Sequence, residues 1–98
     1  MDVHFDLNGV SFVWDDEKAR LNASNHDGIT FERAAEVFFD PFIRLVDASR
    51  NDEARDAAIG YDMQYRLLYV VHIVFDDTAI RLISARKATA QERHDHDS

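Results

Sequence analysis

The sequence predicts a single α+β domain, in which two helices from the N-terminal half and one C-terminal helix pack on an antiparallel β-sheet. The chain has 98 residues, which is too short for two hydrophobic cores. Apolar residues alternate with polar ones near the N-terminus, as in a half-buried strand, and recur at helical spacing after Thr30. The segment Arg66–Phe75 is apolar almost throughout, as expected of a central strand covered on both faces.

The first part of the chain predicts a β-hairpin followed by a helix. The strands Val3–Leu7 and Val10–Trp14 flank Asn8-Gly9, which is a strong signal for a tight hairpin turn. Asp15 stands at the N-cap of a helix that we predict to end near Asn25. Two acidic residues follow the cap, at the positive end of the helix dipole.

A second helix is predicted after Thr30, which fits an N-cap. It should end before Asp40-Pro41, because the residue before a proline disfavours helical backbone. Its apolar stripe falls at positions i, i+3, i+4 and i+7, which are Phe31, Ala34, Ala35 and Phe38.

The rest of the chain predicts a sheet and a last helix. Its strands are Phe42–Asp47, Glu53–Gly60, Arg66–Phe75 and Thr78–Lys87. The connections are too short for crossover helices, so we expect neighbouring strands to be antiparallel. An Asp76-Asp77 turn precedes the last strand, and Thr89 begins a C-terminal helix whose end, from about residue 94, is expected to fray. Residues 1–98 thus form one domain.

The composition excludes several classes of function. The chain has no cysteine, so disulfides, thiolate metal sites and a cysteine nucleophile are excluded. The first twenty residues carry no signal-peptide pattern, and no apolar run approaches the length of a membrane span. We therefore expect a cytoplasmic protein that does not bind membranes.

The charge is acidic overall but basic in one segment. The formal net charge is −8, which repels nucleic acid at long range and attracts basic partners. The window 78–93 nevertheless has a net charge of +3. It is either a binding patch or a set of solvated side chains. Its charged residues are Arg81, Arg86, Lys87 and Arg93 against Glu92.

The histidines do not predict a metal site, and we expect no metal and no cofactor. His94 and His96 are two residues apart on the last helix, so their side chains point in different directions. His72 lies in the apolar run and is most simply a hydrogen-bonded histidine of the sheet. His26 follows the first helix in a polar segment. Its imidazole is either available for proton transfer or merely favoured by the helix dipole.

Charged residues on two strands could bind a phosphate. In an unbulged strand, Glu53 and Arg55 share one face. Arg81 and Arg86 lie on opposite faces of the last strand unless a bulge re-aims one of them. Two guanidinium groups at one phosphate would stabilise a pentacovalent transition state without a metal. The alternative is that these residues only form salt bridges at strand edges.

The ordered motifs resemble the BrnT toxins of bacterial type II toxin–antitoxin systems. The match runs in order from about residue 12 to residue 93, which is most of the chain. Its most specific block is RLISARKAT at Arg81–Thr89. The segments WDDEK at 14–18 and FDP at 39–41 support it.

The resemblance implies a RelE-like fold and a metal-independent endoribonuclease that cleaves RNA and inhibits translation. It also implies a BrnA-like antitoxin whose ribbon-helix-helix part binds DNA, so that DNA is contacted only through the antitoxin. His26 or Glu53 would take the proton from a ribose 2′-hydroxyl, and arginines would stabilise the charge on the phosphoryl oxygens. The residues assigned to catalysis on this basis are His26, Glu53, Arg55, Arg81 and Arg86, and those assigned to substrate binding are Lys18, Ser84 and Lys87.

Two departures from the family pattern favour an alternative to the function of an active endoribonuclease. Asp27 is an extra residue between His26 and Gly28, and His96 stands where the family commonly has a tyrosine. The alternative is a catalytically weak or inactive BrnT-like protein that acts in antitoxin binding and operon autoregulation. An acidic mimic of nucleic acid fits less well, because the carboxylates are spread over helix ends and turns. The expected assembly is a homodimer or a heterotetramer with the antitoxin.

Overall fold

The computed structural model describes residues 1–75 and 78–98, and the predicted Asp76-Asp77 turn lies outside the described residues. In these ranges the chain forms six strands, three α-helices and a short 3-10 helix. The N-terminal elements are β1 (Asp2–Leu7), β2 (Val10–Asp15), α1 (Asp16–Asn25), α2 (Phe31–Glu36) and the 3-10 helix Val37–Phe39. The later elements are β3 (Arg44–Asp47), β4 (Asp56–Tyr61), β5 (Leu67–Phe75), β6 (Ala79–Lys87) and α3 (Ala90–Asp97).

The strands form one mixed sheet in the order β1-β2-β6-β5-β4-β3. The predicted α+β class is confirmed, and strands joined by short connections pair in antiparallel fashion as expected. The expectation is wrong for β2 and β6, which pair in parallel through Phe12 opposite Ile80 and Val13 opposite Arg81. Short connections force antiparallel pairing only between strands that follow each other. The chain leaves β2 into the helices, and β2 then meets a strand from the far end of the sequence.

Both N-terminal helices begin at the predicted capping residues. The Asp15 carboxylate accepts a hydrogen bond from the Lys18 amide at 3.0 Å, and the Thr30 hydroxyl accepts one from the Arg33 amide at 3.2 Å. Each bond satisfies an N–H group that has no partner within the first helical turn. No helix in the described ranges is long and apolar enough to cross a lipid bilayer.

The hydrophobic core lies between the helices and one face of the sheet. Trp14 on β2 contacts Phe31 on α2 edge-on, with the ring centroids 5.7 Å apart. Full burial of one such aromatic side chain stabilises the fold by about 1.5 to 3 kcal/mol. The buried residues of the core are Phe12, Trp14, Ile29, Phe31, Ala34, Ala35, Val37, Ala58, Leu68, Val70, Leu82 and Ala85.

His72 is a buried histidine of the sheet, as predicted. Its side chain is almost fully buried, and its Nδ1 atom lies 3.1 Å from the Val70 carbonyl oxygen. The Phe38 ring contacts the imidazole edge-on, with the centroids 4.8 Å apart. These contacts explain the residue as part of the packing.

The C-terminal helix is held by polar contacts. It continues to Asp97, and fraying of its end from about residue 94 stays a prediction. The His96 side chain is only 4% exposed, and its Nε2 lies 3.2 Å from an Asp40 carboxylate oxygen. The Arg44 guanidinium donates a hydrogen bond to the Asp95 carbonyl oxygen at 2.7 Å. A polar tail without an apolar stripe contains no periodic signal for such contacts.

Gly60 on β4 has no room for a side chain. A Cβ atom added there would lie 2.9 Å from the Val37 carbonyl oxygen and 3.3 Å from the Asp40 Cβ atom. We expect Gly60→Ala to lower the free energy of unfolding by about 1 to 3 kcal/mol, because the 3-10 helix would have to move away from the sheet. Urea denaturation measures this effect, and an unchanged midpoint would contradict the close packing described here.

Candidate active site

A hollow of about 480 Å³ lies over the C-terminal half of β6 and the adjoining part of β5. Val70 and Ala85 face the core. Since side chains alternate along a strand, their neighbours on these strands face away from the core and form the floor of the hollow. The end of α1 and the loop between β3 and β4 form its walls. The lining residues are His26, Ala48, Ser49, Arg50, Arg55, Tyr69, Val71, Ser84 and Arg86.

A β-bulge in β6 determines which side chains face this hollow. Val71 on β5 lies opposite Ser84, but the next residue, His72, lies opposite Leu82, so that Ile83 is the extra residue. The bulge shifts the alternation by one residue. Arg81, Ser84 and Arg86 therefore lie on the same face of the sheet. The sequence analysis expected Arg81 and Arg86 on one face only if the strand contained a bulge.

Arg81 nevertheless does not reach the hollow. It lies opposite Ile73, whereas Arg86 lies opposite Tyr69, which is roughly 13 Å further along the strand. The Arg81 guanidinium donates two hydrogen bonds to the Asp2 carboxylate, at 3.2 and 2.8 Å. The hydrogen bonds between these two groups raise the pKa of Arg81 and lower the pKa of Asp2. In this arrangement Arg81 links β6 to the start of β1.

Arg86 is held in the hollow by a carboxylate and an aromatic ring. Its Nη1 and Nη2 atoms donate to the two Glu92 carboxylate oxygens at 2.8 and 2.9 Å. Its guanidinium carbon lies 4.0 Å from the centroid of the Tyr69 ring, which is a cation–π contact. The hydrogen bonds with Glu92 raise the pKa of Arg86, and those from Arg86 lower the pKa of Glu92. Both groups are therefore charged at neutral pH.

Arg55 enters the hollow from the loop between β3 and β4. The prediction that Glu53 and Arg55 lie on a strand is wrong, because β4 begins at Asp56. Arg50 and Glu53 instead close a tight turn through reciprocal backbone hydrogen bonds of 3.0 and 2.9 Å. The Arg55 Nη2 atom donates to the Glu53 carboxylate at 2.6 Å. Its Nε atom is buried without a hydrogen-bond partner among the described residues.

His26 reaches the hollow from the end of α1. Its amide donates to the Asn22 carbonyl oxygen at 2.9 Å and ends the helix. Asp27 and Gly28 follow with positive φ angles of 54° and 73°, which turn the chain sharply and which favour glycine or short polar residues. Asp27, the extra residue relative to the family pattern, therefore forms part of the turn after His26.

The structure brings together some of the predicted site residues and leaves others outside. Glu53 contacts Arg55 but does not line the hollow. Lys18 is exposed on the first turn of α1. The Lys87 ammonium lies 3.8 Å from the Asp27 carboxylate, and neither residue lines the hollow. The predicted residues that line the hollow are His26, Arg55, Ser84 and Arg86.

Five residues that line the hollow were not predicted, and these are Ala48, Ser49, Arg50, Tyr69 and Val71. Ala48, Ser49 and Arg50 lie in the loop between β3 and β4, whose position no motif indicated. Tyr69 and Val71 are two apart in β5, so alternation alone places them together on one face. Their contact with Ser84 and Arg86 depends on the bulge, which has no signature in the sequence.

The hollow is cationic in an acidic protein. Its lining contains three arginines and one histidine, and no carboxylate is among the described residues that line it. Guanidinium groups offer paired donors that match phosphate oxygens. The described parts of the chain contain no group of three or more histidine, aspartate or glutamate side chains placed to bind a metal ion.

The fold and the hollow together define a small single-sheet α+β protein with a hollow lined by arginine and histidine side chains. Residues 14–92 match the family described as "Ribonuclease toxin, BrnT, of type II toxin-antitoxin system". The chain belongs to this family, since the match covers most of its length. Membership implies an antitoxin partner and an RNA substrate. No curated protein matches the chain.

Proposed function

We propose that the protein is a metal-independent endoribonuclease toxin that cleaves RNA in the cytoplasm and thereby inhibits translation. The observation that supports it is the hollow lined by Arg50, Arg55, Arg86 and His26, with no carboxylate among the lining residues that the structure describes. A phosphodiester is an anion, and electrostatic stabilisation of its transition state is the chemistry that fixed guanidinium groups provide. Through the family resemblance we also propose that the architecture is RelE-like.

The proposed reaction is an attack of a ribose 2′-hydroxyl on the adjacent phosphate. The bond from O2′ to phosphorus forms, the bond from phosphorus to O5′ breaks, and the products carry a 2′,3′-cyclic phosphate and a 5′-hydroxyl. The attacking oxygen loses a proton to a base, and the leaving oxygen gains one. The geometry favours His26 over Glu53 as the base, because Glu53 is engaged by Arg55 and does not line the hollow. Arg55, Arg86 and the Ser84 hydroxyl then hold the phosphoryl oxygens.

The proposal is tested with purified protein and a single-stranded RNA in excess chelator. We expect fragments with 2′,3′-cyclic phosphate ends, and no cleavage by the double variant His26→Ala/Arg86→Ala. Purifying both proteins by the same protocol controls for a contaminating nuclease. Equal cleavage by the two proteins, or cleavage only after divalent metal is added, would contradict the proposal.

A second candidate function is a non-catalytic toxin relative that acts in antitoxin binding and operon autoregulation. The observation that favours it is that three predicted arginines are each paired with a carboxylate. The pairs are Arg55 with Glu53, Arg81 with Asp2 and Arg86 with Glu92. The two functions differ in a growth assay. Expression without the antitoxin should arrest growth if the protein cleaves RNA, and should be harmless if it only binds.

For the partner we propose a BrnA-like antitoxin with a ribbon-helix-helix part that binds DNA. The net charge of −8 favours a basic antitoxin segment. The edge strand β3 is exposed along its whole length, including Leu45, and offers unpaired backbone groups to an added strand. We propose that the protein assembles either as a homodimer or as a heterotetramer with the antitoxin.

An electrostatic interface should weaken as salt is added. We expect the affinity for the antitoxin to fall between about 0.1 and 1 M salt, because the screening length shortens from about 10 to 3 Å. Titration calorimetry at several salt concentrations measures this dependence. A dissociation constant that stays constant over the range would show that the interface is not electrostatic.

A further inference from the structure

The guanidinium of Arg86 is only partly used by its contacts within the protein. Of its five N–H groups, two on Nη1 donate to the Lys87 carbonyl oxygen at 3.1 Å and to Glu92 at 2.8 Å. One on Nη2 donates to Glu92 at 2.9 Å. The Nε–H and the second Nη2–H have no hydrogen-bond partner in residues 1–75 and 78–98. These two groups form the lateral edge of the guanidinium, which is one of the two edges that bind a phosphate bidentately.

Glu92 is itself fixed by the start of α3. Its carboxylate oxygen Oε1 accepts a hydrogen bond from the Thr89 amide at 2.8 Å, and its amide donates to the Thr89 hydroxyl at 3.2 Å. This capping box makes the carboxylate part of the helix terminus, with little freedom to rotate. The same carboxylate thus caps α3 and holds the terminal edge of Arg86.

The far end of α3 is also attached to the sheet. The buried His96 contacts Asp40, and Tyr61 lies edge-on to its ring with centroids 5.3 Å apart. Arg44 on β3 donates to the Asp95 carbonyl oxygen. A helix fixed at both ends places Glu92 at a constant distance from the hollow.

We propose that Glu92 is a positioning residue for RNA cleavage, an inference that rests on the proposed function. It holds the terminal edge of Arg86 over the Tyr69 ring, so that the lateral edge is presented to the phosphate in one orientation. An arginine side chain loses substantial rotamer freedom when it is fixed. In this protein the Arg86 side chain loses its rotamer freedom when the chain folds, so this loss does not weaken the later binding of the substrate.

The alternative is that Glu92 competes with the phosphate for Arg86 and so inhibits the protein. The two roles predict opposite effects of removing the negative charge. A positioning role predicts slower cleavage, and a competing role predicts faster cleavage. The unused lateral edge favours the positioning role, because the phosphate does not need to displace the carboxylate.

The test is the variant Glu92→Gln, which keeps an acceptor for the Thr89 amide but loses the charge and one acceptor for Arg86. We expect kcat for cleavage of a single-stranded RNA to fall roughly tenfold to hundredfold, with a much smaller change in KM. In an Arg86→Ala background the same substitution should cause no further loss. Glu17→Gln is the matched control, because Glu17 forms the same kind of pair with Arg20 on α1, and it should leave kcat unchanged.

The outcomes separate this inference from the proposed function. A wild type that does not cleave RNA overturns both. A wild type that cleaves, with Glu92→Gln equally active or faster, overturns only the positioning role. A loss in Glu92→Gln that persists in the Arg86→Ala background, with a lower melting temperature, would show that Glu92 acts only through the stability of α3.

Discussion

Replacing Arg86 with alanine is expected to slow RNA cleavage by roughly 100- to 1000-fold, the usual cost of removing one donor that stabilises a transition-state oxyanion. Arg86 lines the hollow, and the lateral edge of its guanidinium has no hydrogen-bond partner among the described residues. Arg81→Ala should reduce the rate far less, because Arg81 is bound to Asp2 outside the hollow. Cleavage rates measured at saturating RNA compare the two variants directly.

The two arginines make a matched pair. Both lie on β6 and on the same face, and each is bound by one carboxylate through two hydrogen bonds. A general effect of losing charge or an ion pair would therefore appear in both variants. Equal losses in Arg81→Ala and Arg86→Ala would contradict a role in cleavage that is specific to Arg86 in the hollow. An Arg86→Ala protein that cleaves RNA at the wild-type rate would show that the hollow is not the site of cleavage.

Replacing Asn22 with alanine is expected to lower the free energy of unfolding by about 3 kcal/mol. Asn22 is buried on α1 and makes three hydrogen bonds to backbone groups. Its Nδ2 donates to the carbonyl oxygens of Ile29 and Ala85 at 3.1 and 3.0 Å, and its Oδ1 accepts from the Ala85 amide at 2.9 Å. The substitution leaves three buried backbone groups without partners. Thermal unfolding should show a melting temperature lower by roughly 15 °C.

The control for this prediction is Asn25→Ala, three residues further along the same helix. Asn25 is exposed, so its replacement should change stability by less than about 0.5 kcal/mol. A similar loss in both variants would point to helix propensity as the cause. A small loss in Asn22→Ala would mean that water replaces the amide. Because α1 carries His26 at its end, Asn22→Ala should also reduce cleavage.

Much of the fold follows from local patterns in the sequence. The caps at Asp15 and Thr30 predicted where the helices begin, since a side chain that satisfies a free N–H group acts within one turn. The alternation of apolar and polar residues and the Asn8-Gly9 turn predicted the N-terminal hairpin, because these signals also act between residues that are close in sequence. The parallel contact between β2 and β6 could not be predicted in this way, because it joins residues that no short connection relates. The attachment of α3 through His96 likewise depends on partners distant in sequence.

The candidate site was predictable as a set of residue types but not as a geometry. His26, Arg55, Ser84 and Arg86 were assigned through the family resemblance, and the structure gathers these four around one hollow. Arg81 was assigned on the same basis and lies elsewhere. The bulge at Ile83 decides which side chains share a face, and it results from pairing between strands. Asn22 carried no signal, because a polar residue on a helix looks exposed until its partners are known.

The parallel pairing of β2 with β6 also has a consequence for how the protein is made. Phe12 pairs with Ile80, so this contact closes a loop of about 70 residues, which is slow compared with forming hairpins. On a ribosome, the segment with His26 emerges long before the segment with Arg86. A newly synthesised toxin therefore assembles its hollow only after the segment with Arg86 has left the exit tunnel.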